Sequence, residues 1–289
     1  MKKRPERLIG VTGSTGYLGG SLVSALRAQS LNVVAYRRSV LDGADDGSVR
    51  HLDLGQPADR GVFDGVSCLI HAAWDLSETD PRRAWELNVA GSKRLLETAL
   101  DAGVQRVIFI SSMSAYYGTR QPYGLMKLAV ERAVLEAHQV VVRPGLVYGA
   151  HSGGMFLTLA KLAHLPVIPV FRGAQQYTLH VDDFISALST LVSSRDVPSA
   201  VIGLANETPT SFKDIMQTLA EAADSSAKTV VVPWHALLAL LRAAERLGVV
   251  LPVRSDSLLG LVRPAPGVPG ADVAAQLGLT FRPFSRDQL

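Results

Sequence analysis

The sequence predicts an α/β protein with a doubly wound parallel sheet and a smaller C-terminal lobe. A glycine-rich turn near the start, strand–helix alternation through the first half and a looser pattern beyond Gly149 carry that expectation. The opening apolar run Leu8-Ile9-Gly10-Val11 reads as the first strand. Leu18, Leu22, Ala25 and Leu26 then share one face of a helix. Gly13, Ser14, Thr15, Gly16, Tyr17, Leu18 and Gly19 fall between them, on the strand-to-helix turn. There, exposed backbone N–H groups and the positive helix end suit a dinucleotide pyrophosphate. Gly13 permits the tight turn, Gly16 close backbone approach, and Gly19 close helix–strand packing.

Further strands are expected at 31–36, 49–52, 66–71, 106–111 and 139–142. Long helices are expected at 82–102, ended by Gly103, and at 123–137. Right-handed crossovers turn this alternation into a doubly wound sheet. Residues 1–150 are read as the dinucleotide-binding domain, with segments near 177–204 returning to it. Residues 151–289 are read mainly as the substrate-binding lobe.

Within that lobe, His151 to Gly154 reads as a loop, 155–163 as a helix, and Pro166 and Pro169 bracket an extended piece. Asp182 is read as the cap of a helix through Leu191, and 200–204 as a strand. Thr210-Ser211 precedes a helix to about Ala223, 230–232 is extended, and a helix starts at Trp234. There is no internal repeat or low-complexity linker.

The chain has 289 residues, 47% of them hydrophobic, which excludes a disordered protein. The formal charge is +3 and the basic residues are scattered. The densest cluster, Lys2-Lys3-Arg4, reads as a solubilising tail, so no nucleic-acid partner is expected. Cys68 is the single cysteine, set among Val66, Leu69 and Ile70. It reads as a buried strand residue, fitting a reducing compartment. The charged N-terminus lacks an apolar signal core. The apolar stretch 234–251 is interrupted by Arg242, Glu245 and Arg246, which argues against a membrane span. A cytoplasmic location is expected, and no metal-ligand set stands out.

Tyr123 and Lys127 lie four residues apart on one helix face. A phenol near pH 10 is a poor base at neutral pH, and a neighbouring ammonium favours the phenolate. That pairing suits proton exchange with a substrate hydroxyl or carbonyl. Ser111-Ser112 end the preceding strand, where open α/β sheets bind ligands, and a hydroxyl there can hold the reacting oxygen.

In this order, eight segments resemble those of the extended short-chain dehydrogenases/reductases, the NAD(P)-dependent epimerase/dehydratase family. They are ThrGlySerThrGlyTyrLeuGly from Thr12, HisLeuAspLeu from His51, IleHisAlaAla from Ile70, AsnValAlaGly from Asn88, PheIleSerSer from Phe109, TyrGlyLeuMetLys from Tyr123, ArgProGlyLeuValTyrGly from Arg143 and HisValAspAsp from His180. Asp272 with Leu277-Gly278 resembles the closing segment. The resemblance implies a Rossmann fold, with Tyr123 as acid/base and Ser112 orienting the substrate oxygen. Lys127 would lower the phenol pKa and bind the nicotinamide ribose. Asp53 would meet the adenine, with Leu54 beside it. Ala72 and Ala73 would pass the adenosine ribose and pyrophosphate, and Pro144, Gly145 and Val147 would flank the nicotinamide. Asn88 matches a helix position of the family. His180 and Asp182 are read as anchors of the second lobe.

NAD-preferring relatives place an acidic residue after the second strand; here the strand runs into Arg37-Arg38. Guanidinium groups suit a 2′-phosphate, so NADP is expected over NAD. The run SerSerMetSerAlaTyrTyrGly is one residue longer than the usual loop. Counting from the strand selects Ser112, counting back from Gly118 selects Met113, and Ser114 is the fallback. The ArgTyrPheAsn form of sugar epimerases is absent, and Arg254 and Arg263 lack the spacing of a diphosphate grip. No second acid/base pair adjoins Ser112, which disfavours a dehydratase.

The expected activity is hydride transfer at a carbinol or carbonyl of a sugar nucleotide or of another ketone or alcohol. Apolar residues at 237–241 and 258–262 raise a rival, a carbonyl reductase of a hydrophobic ketone. A non-catalytic NADP-binding redox sensor is the other. Pairing of the 82–102 and 123–137 helices across a two-fold axis would give a homodimer.

Overall fold

The computed structural model describes residues 7–39, 47–150, 153–249, 251 and 253–289. The basic tail Lys2-Lys3-Arg4 and the start of the His151 loop lie outside them.

In chain order, β1 (Leu8–Thr12) leads into α1 (Tyr17–Ala28), β2 (Asn32–Arg37), β3 (Val49–His51) and β4 (Val66–His71). Then come α2 (Pro81–Trp85), a π-helical turn (Glu86–Ala90), α3 (Gly91–Asp101), β5 (Arg106–Ile110), α4 (Pro122–Glu136), β6 (Val140–Pro144) and β7 (Leu146–Tyr148). Next are α5 (Gly154–Leu162), β8 (Val167–Val170), β9 (Gln175–Gln176), β10 (Thr178–His180), α6 (Val181–Ser193), β11 (Val201–Leu204) and β12 (Thr210–Ser211). The chain ends with α7 (Phe212–Ala222), β13 (Lys228–Val231), α8 (Trp234–Arg246), α9 (Ser255–Val262) and α10 (Ala271–Gln276).

Seven strands form one sheet in the order β11-β6-β5-β4-β1-β2-β3. The pairings from β6 across to β3 are parallel. A run such as Val140-Val141-Val142, buried at all three positions, is what a sheet covered on both faces requires. The order reverses beside β1, which pairs with β2 on one side and β4 on the other. The carboxyl ends of β1 and β4 therefore mark the topological switch point, where such sheets take ligands.

Two compact units share the chain. One holds the stretches up to Ser111, Met126–Arg143 and Ile185–Ile202; the other holds Ser112–Leu125, Pro144–Phe184 and Gly203–Leu289. The division thus falls at Ser111/Ser112 and inside α4. The first unit is packed around Leu69, Phe63, Leu96, Phe109 and Val141. Cys68 is buried there, and desolvation pushes its thiol up to about 12, which leaves it an inert core residue. The second unit has three small two-stranded sheets, β7 with β10, β9 with β12 and β8 with β13. Its core joins Phe156, Phe171, Phe212 and Met216 to Leu238, Leu241, Leu258, Leu259 and Leu261.

Local chemistry sets several boundaries. Asp80 accepts the Arg83 N–H at 2.8 Å, and Pro81 opens α2. Gly103, at φ +88°, closes α3 with its N–H on Leu100 O. Ser211 caps α7 through the Asp214 N–H at 3.0 Å.

Other expectations need correction. The helix expected over 82–102 is interrupted by the π turn at Glu86–Ala90, which carries the buried Asn88. Asp182 lies inside the first turn of α6, and its N–H meets His180 Nδ1 at 3.2 Å, so it is not the cap. On α1, Leu18 and Ala25 are half-buried, and Val23 joins Leu22 and Leu26 in the core. Sequence reading also missed β7, α9 and α10, which are short.

The opening turn separates its glycines. A Cβ at Gly19 would lie 2.2 Å from Gly13 O, whereas one at Gly16 would meet only Gly13 O, at 3.3 Å. Gly19→Ala is expected to cost about 1–3 kcal/mol through overpacking. Gly16→Ala is expected to stay within about 1 kcal/mol of the parent, and urea unfolding of the two variants measures the contrast.

Candidate active site

The turn after β1 is organised by Thr12 and Gly13. Gly13 sits at φ +66°, and a Cβ there would lie 2.7 Å from Ala73 N and 2.8 Å from Ala72 C and O. Backbone thus lies directly on backbone between the ends of β1 and β4. Thr12 Oγ1 accepts the N–H groups of Ala72 and Ala73, each at 3.1 Å. With both lone pairs engaged, its hydroxyl donates to His71 Nδ1 at 2.8 Å, and the other ring nitrogen of His71 carries the proton toward Ser92 Oγ at 2.9 Å. His71 is neutral accordingly; burial, then the charge of Lys127, lowers its pKa to about 3.

Ser14 is buried and donates to Tyr36 O at 2.8 Å, tying the turn to β2. Thr15 and Gly16 are exposed, and α1 begins at Gly16 with no side-chain cap. Gly16 leaves room where a side chain would intrude, and Tyr17, Leu18 and Gly19 supply first-turn amides. The turn therefore fits a diphosphate. The amides of Ala72 and Ala73 are already engaged by Thr12, so only their carbonyls and methyl groups remain for a ligand.

Around the turn, Arg37 and Arg38 are exposed, and Arg38 pairs with Asp75 at 3.3 Å. Asp53 Oδ1 accepts the Gly55 N–H at 2.9 Å, shaping the turn after β3, and Leu54 is buried beside it. Asn88 brackets the loop after β4: its Oδ1 accepts the Asp75 N–H at 2.7 Å and its Nδ2 donates to Asp75 O at 2.9 Å. That gives Asn88 a bracing part in the first unit.

Lys127 is 3% exposed, and its Nζ donates to Ile110 O at 2.8 Å. The ammonium also lies 3.7 Å from the centroid of the Trp74 ring. Burial lowers its pKa to about 7, with Glu131 one turn on opposing the shift. Glu131 is buried; it takes the Ser111 hydroxyl and both prongs of Arg143, Nε at 2.8 Å and Nη2 at 2.6 Å. This carboxylate fixes the end of β5 against β6. Sequence reading missed Glu131 and Trp74. The i, i+4 spacing of Lys127 and Glu131 was the available signal for the first.

In the second unit, the Ser112 hydroxyl and the Tyr123 phenol are hydrogen-bonded. Their approach has a backbone cause. A Cβ at Gly124 would lie 2.2 Å from Ser114 O, so only glycine lets the first turn of α4 lie on the Ser112–Ser114 loop. Met113 is buried, with its N–H on Pro144 O at 3.1 Å, and the Ser114 N–H donates to Ser112 Oγ at 3.1 Å. Of the two serines weighed, Ser112 is the one bonded to the phenol.

The expected depression of the phenol pKa is overturned. Burial, opposed by the Ser112 hydrogen bond and reinforced by the charge of Asp256, pushes Tyr123 up to about 12. In the first unit, burial likewise brings the ammonium of Lys127 down to about 7.

Elsewhere in the second unit, Gly145 donates its N–H to Leu204 O at 2.9 Å, and a Cβ there would lie 2.3 Å from Tyr177 O. Val147 pairs with Leu179. The His180 ring packs edge-on to Tyr148, with centroids 5.1 Å apart. No group of three or more candidate metal ligands occurs among the described residues.

Removing one member of the buried ion pair leaves the other charge unpaired. Glu131→Gln is expected to destabilise the protein by about 3 kcal/mol, read by urea unfolding. Replacing Glu131 and Arg143 together by methionine is expected to recover part of that loss.

The family model for the NAD dependent epimerase/dehydratase family matches residues 9–203. The UDP-glucose 4-epimerase of Vibrio cholerae is 26% identical over 266 residues, covering 80% of each chain. A 4-hydroxy-2-methyl-3-oxo-4-farnesyl-3,4-dihydroquinoline-1-oxide ketoreductase of Stigmatella aurantiaca is 26% identical over 275 residues, 82% of this chain and 78% of its own. Among solved structures, MoeE5 in complex with UDP-glucuronic acid and NAD superposes with a TM-score of 0.74 at 25% identity, covering 97% of this chain and 95% of that one. With these matches spanning the glycine turn, the strand ends and α4, the chain belongs to the NAD-dependent epimerase/dehydratase family and is an enzyme of the extended short-chain dehydrogenase/reductase type.

Proposed function

We propose that this enzyme is an NADP-dependent oxidoreductase that transfers hydride at a carbinol or carbonyl carbon, with Ser112, Tyr123 and Lys127 as its working residues. The observation that carries this reading is the Ser112–Tyr123 hydrogen bond, beyond the carboxyl end of a central strand. When bound, the nicotinamide cofactor supplies the hydride step. Ser112 holds the substrate oxygen, and the Tyr123 phenol passes a proton to or from it. With its pKa raised to about 12 the phenol stays protonated at neutral pH, so it carries the proton that an alkoxide formed by hydride addition to a carbonyl would take, which suits the reducing direction. Lys127 would hold the nicotinamide ribose, its ammonium kept in place over Trp74.

The glycine turn supports the diphosphate end: Gly16 is exposed and α1 starts uncapped by a side chain. Asp53 and Leu54 serve the adenine side, Ala72 and Ala73 the ribose and pyrophosphate, and Pro144, Gly145 and Val147 the nicotinamide. The preference for NADP rests on Arg37 and Arg38, both exposed at the end of β2, with no carboxylate on that strand. Asp75 competes for Arg38.

The substrate is a sugar nucleotide or another ketone or alcohol. MoeE5 holds UDP-glucuronic acid, and the Stigmatella relative is a ketoreductase. The hydrophobic-ketone reading loses much of its support, because Leu238, Leu241, Leu258, Leu259 and Leu261 are used in the core. We place the enzyme in the cytoplasm; among the described residues no helix is long and apolar enough to cross a membrane. A homodimer through the helices around Trp85 and Leu125, both exposed, completes the reading.

The decisive assay follows nicotinamide absorbance with NADPH or NADH against a panel of ketones and UDP-sugars. Tyr123→Phe is expected to lower kcat at least ~100-fold while leaving dinucleotide affinity unchanged. Unimpaired turnover in that variant sinks the proton-transfer assignment. NADP is expected to bind about tenfold more tightly than NAD, about 1.4 kcal/mol. Tighter binding of NAD removes the part given to Arg37 and Arg38.

A further inference from the structure

Gln121 precedes Pro122, and glutamine is not among the side chains that usually close a helix N-terminus. The Tyr123 N–H, one of the first-turn donors, is instead taken by the carboxylate of Asp256, from the first turn of α9. A second bond fixes the same approach: Gln121 Nε2 donates to Asp256 O at 2.9 Å. One turn on, a Cβ at Gly260 would lie 3.1 Å from Gln121 Nε2, so α9 rests closely on this segment. Asp256 Oδ1 is buried with no hydrogen-bond partner.

We propose that Asp256 is a positioning residue for Tyr123: its carboxylate takes the amide of Tyr123 and, with the Gln121 contact beside it, fixes the start of α4. This rests on the assignment of Tyr123 as the proton-transfer group. Hydrogen bonds from the Tyr123 N–H and the Gln121 side chain both favour the charged carboxylate. Arg254 precedes α9 and favours the charged form of Asp256, while Glu245 of α8 opposes it. Glu245 is itself engaged by the Ser255 N–H and hydroxyl, each at 2.7 Å. From β9, Gln176 presents only an amide, donating to Leu261 O at 2.8 Å. Burial raises the Asp256 carboxyl to about 6, so it is ionised at neutral pH, and its charge then adds to the burial of the phenol.

The sign of the effect follows directly. Removing a negative charge beside a phenol makes the phenolate easier to form, so the phenol titrates at lower pH. Asp256→Asn keeps an oxygen for the Tyr123 N–H and deletes the charge. Asp256→Ala deletes both.

The test is an ultraviolet titration of tyrosine ionisation in the full chain, with the Tyr123 step identified by its loss in Tyr123→Phe. In Asp256→Asn that step is expected to move down by about one pH unit. The alkaline limb of the kcat profile should move with it. Asp256→Ala is expected to lower Tm relative to Asp256→Asn, since only it loses the cap. A Tyr123 step unmoved in Asp256→Asn overturns the electrostatic part, and equal Tm in the two variants overturns the capping part. The titration needs no turnover, so an inactive enzyme with a shifted phenol would count against the proposed function alone.

Discussion

Close approach of backbone to backbone, possible only where no Cβ stands between, is the constraint on which this protein's chemistry rests. Gly13 lies against the peptide of Ala72 and Ala73, Gly19 against Gly13 O, Gly91 against Leu54 O, and Gly124 against Ser114 O. The first two fold the turn after β1 tightly enough to open a helix at Gly16. The last sets the first turn of α4 onto the loop that carries Ser112. A side chain at any of these positions would push apart the segments whose atoms must meet, and no flexible neighbour could yield, because each obstacle is main chain.

Burial then sets the electrostatics. The phenol of Tyr123 moves up and the ammonium of Lys127 moves down because burial penalises the charged form of each. Neutral forms gain on both groups, which keeps protons on phenol oxygen and makes the lysine a mild cation at neutral pH. Glu131 pairs with Arg143 and takes the Ser111 hydroxyl. It occupies the turn of α4 beyond Lys127 and ties that helix to the ends of β5 and β6. The polar chain Thr12–His71–Ser92 performs the same service between β1 and β4 with neutral groups.

The relatives range from a UDP-glucose 4-epimerase to a ketoreductase. That range is understandable from the architecture. The glycine turn, the strand ends and the first turns of α4 lie in the part matched by the family model, which stops at residue 203. All of α7 to α10, with β13, lies beyond it, and there the apolar side chains mainly build a separate core.

The sequence alone determined the parallel sheet, the glycine turn and the spacing of Tyr123 with Lys127, because these are local: apolar runs, glycine positions and helical periodicity act over a few neighbouring residues. Even the interrupted helix over 82–102 was visible in outline, while its π turn was not, since periodicity cannot register one added residue per turn. Tertiary structure decided the rest. Ser112 rather than Ser114 meets the phenol because Gly124 rests on Ser114 O. The phenol rises rather than falls because solvent exclusion is a property of everything packed around it. Asp256 reaches Tyr123 across 133 positions of chain, a distance at which spacing carries no signal and only the folded backbone brings a carboxylate to an amide.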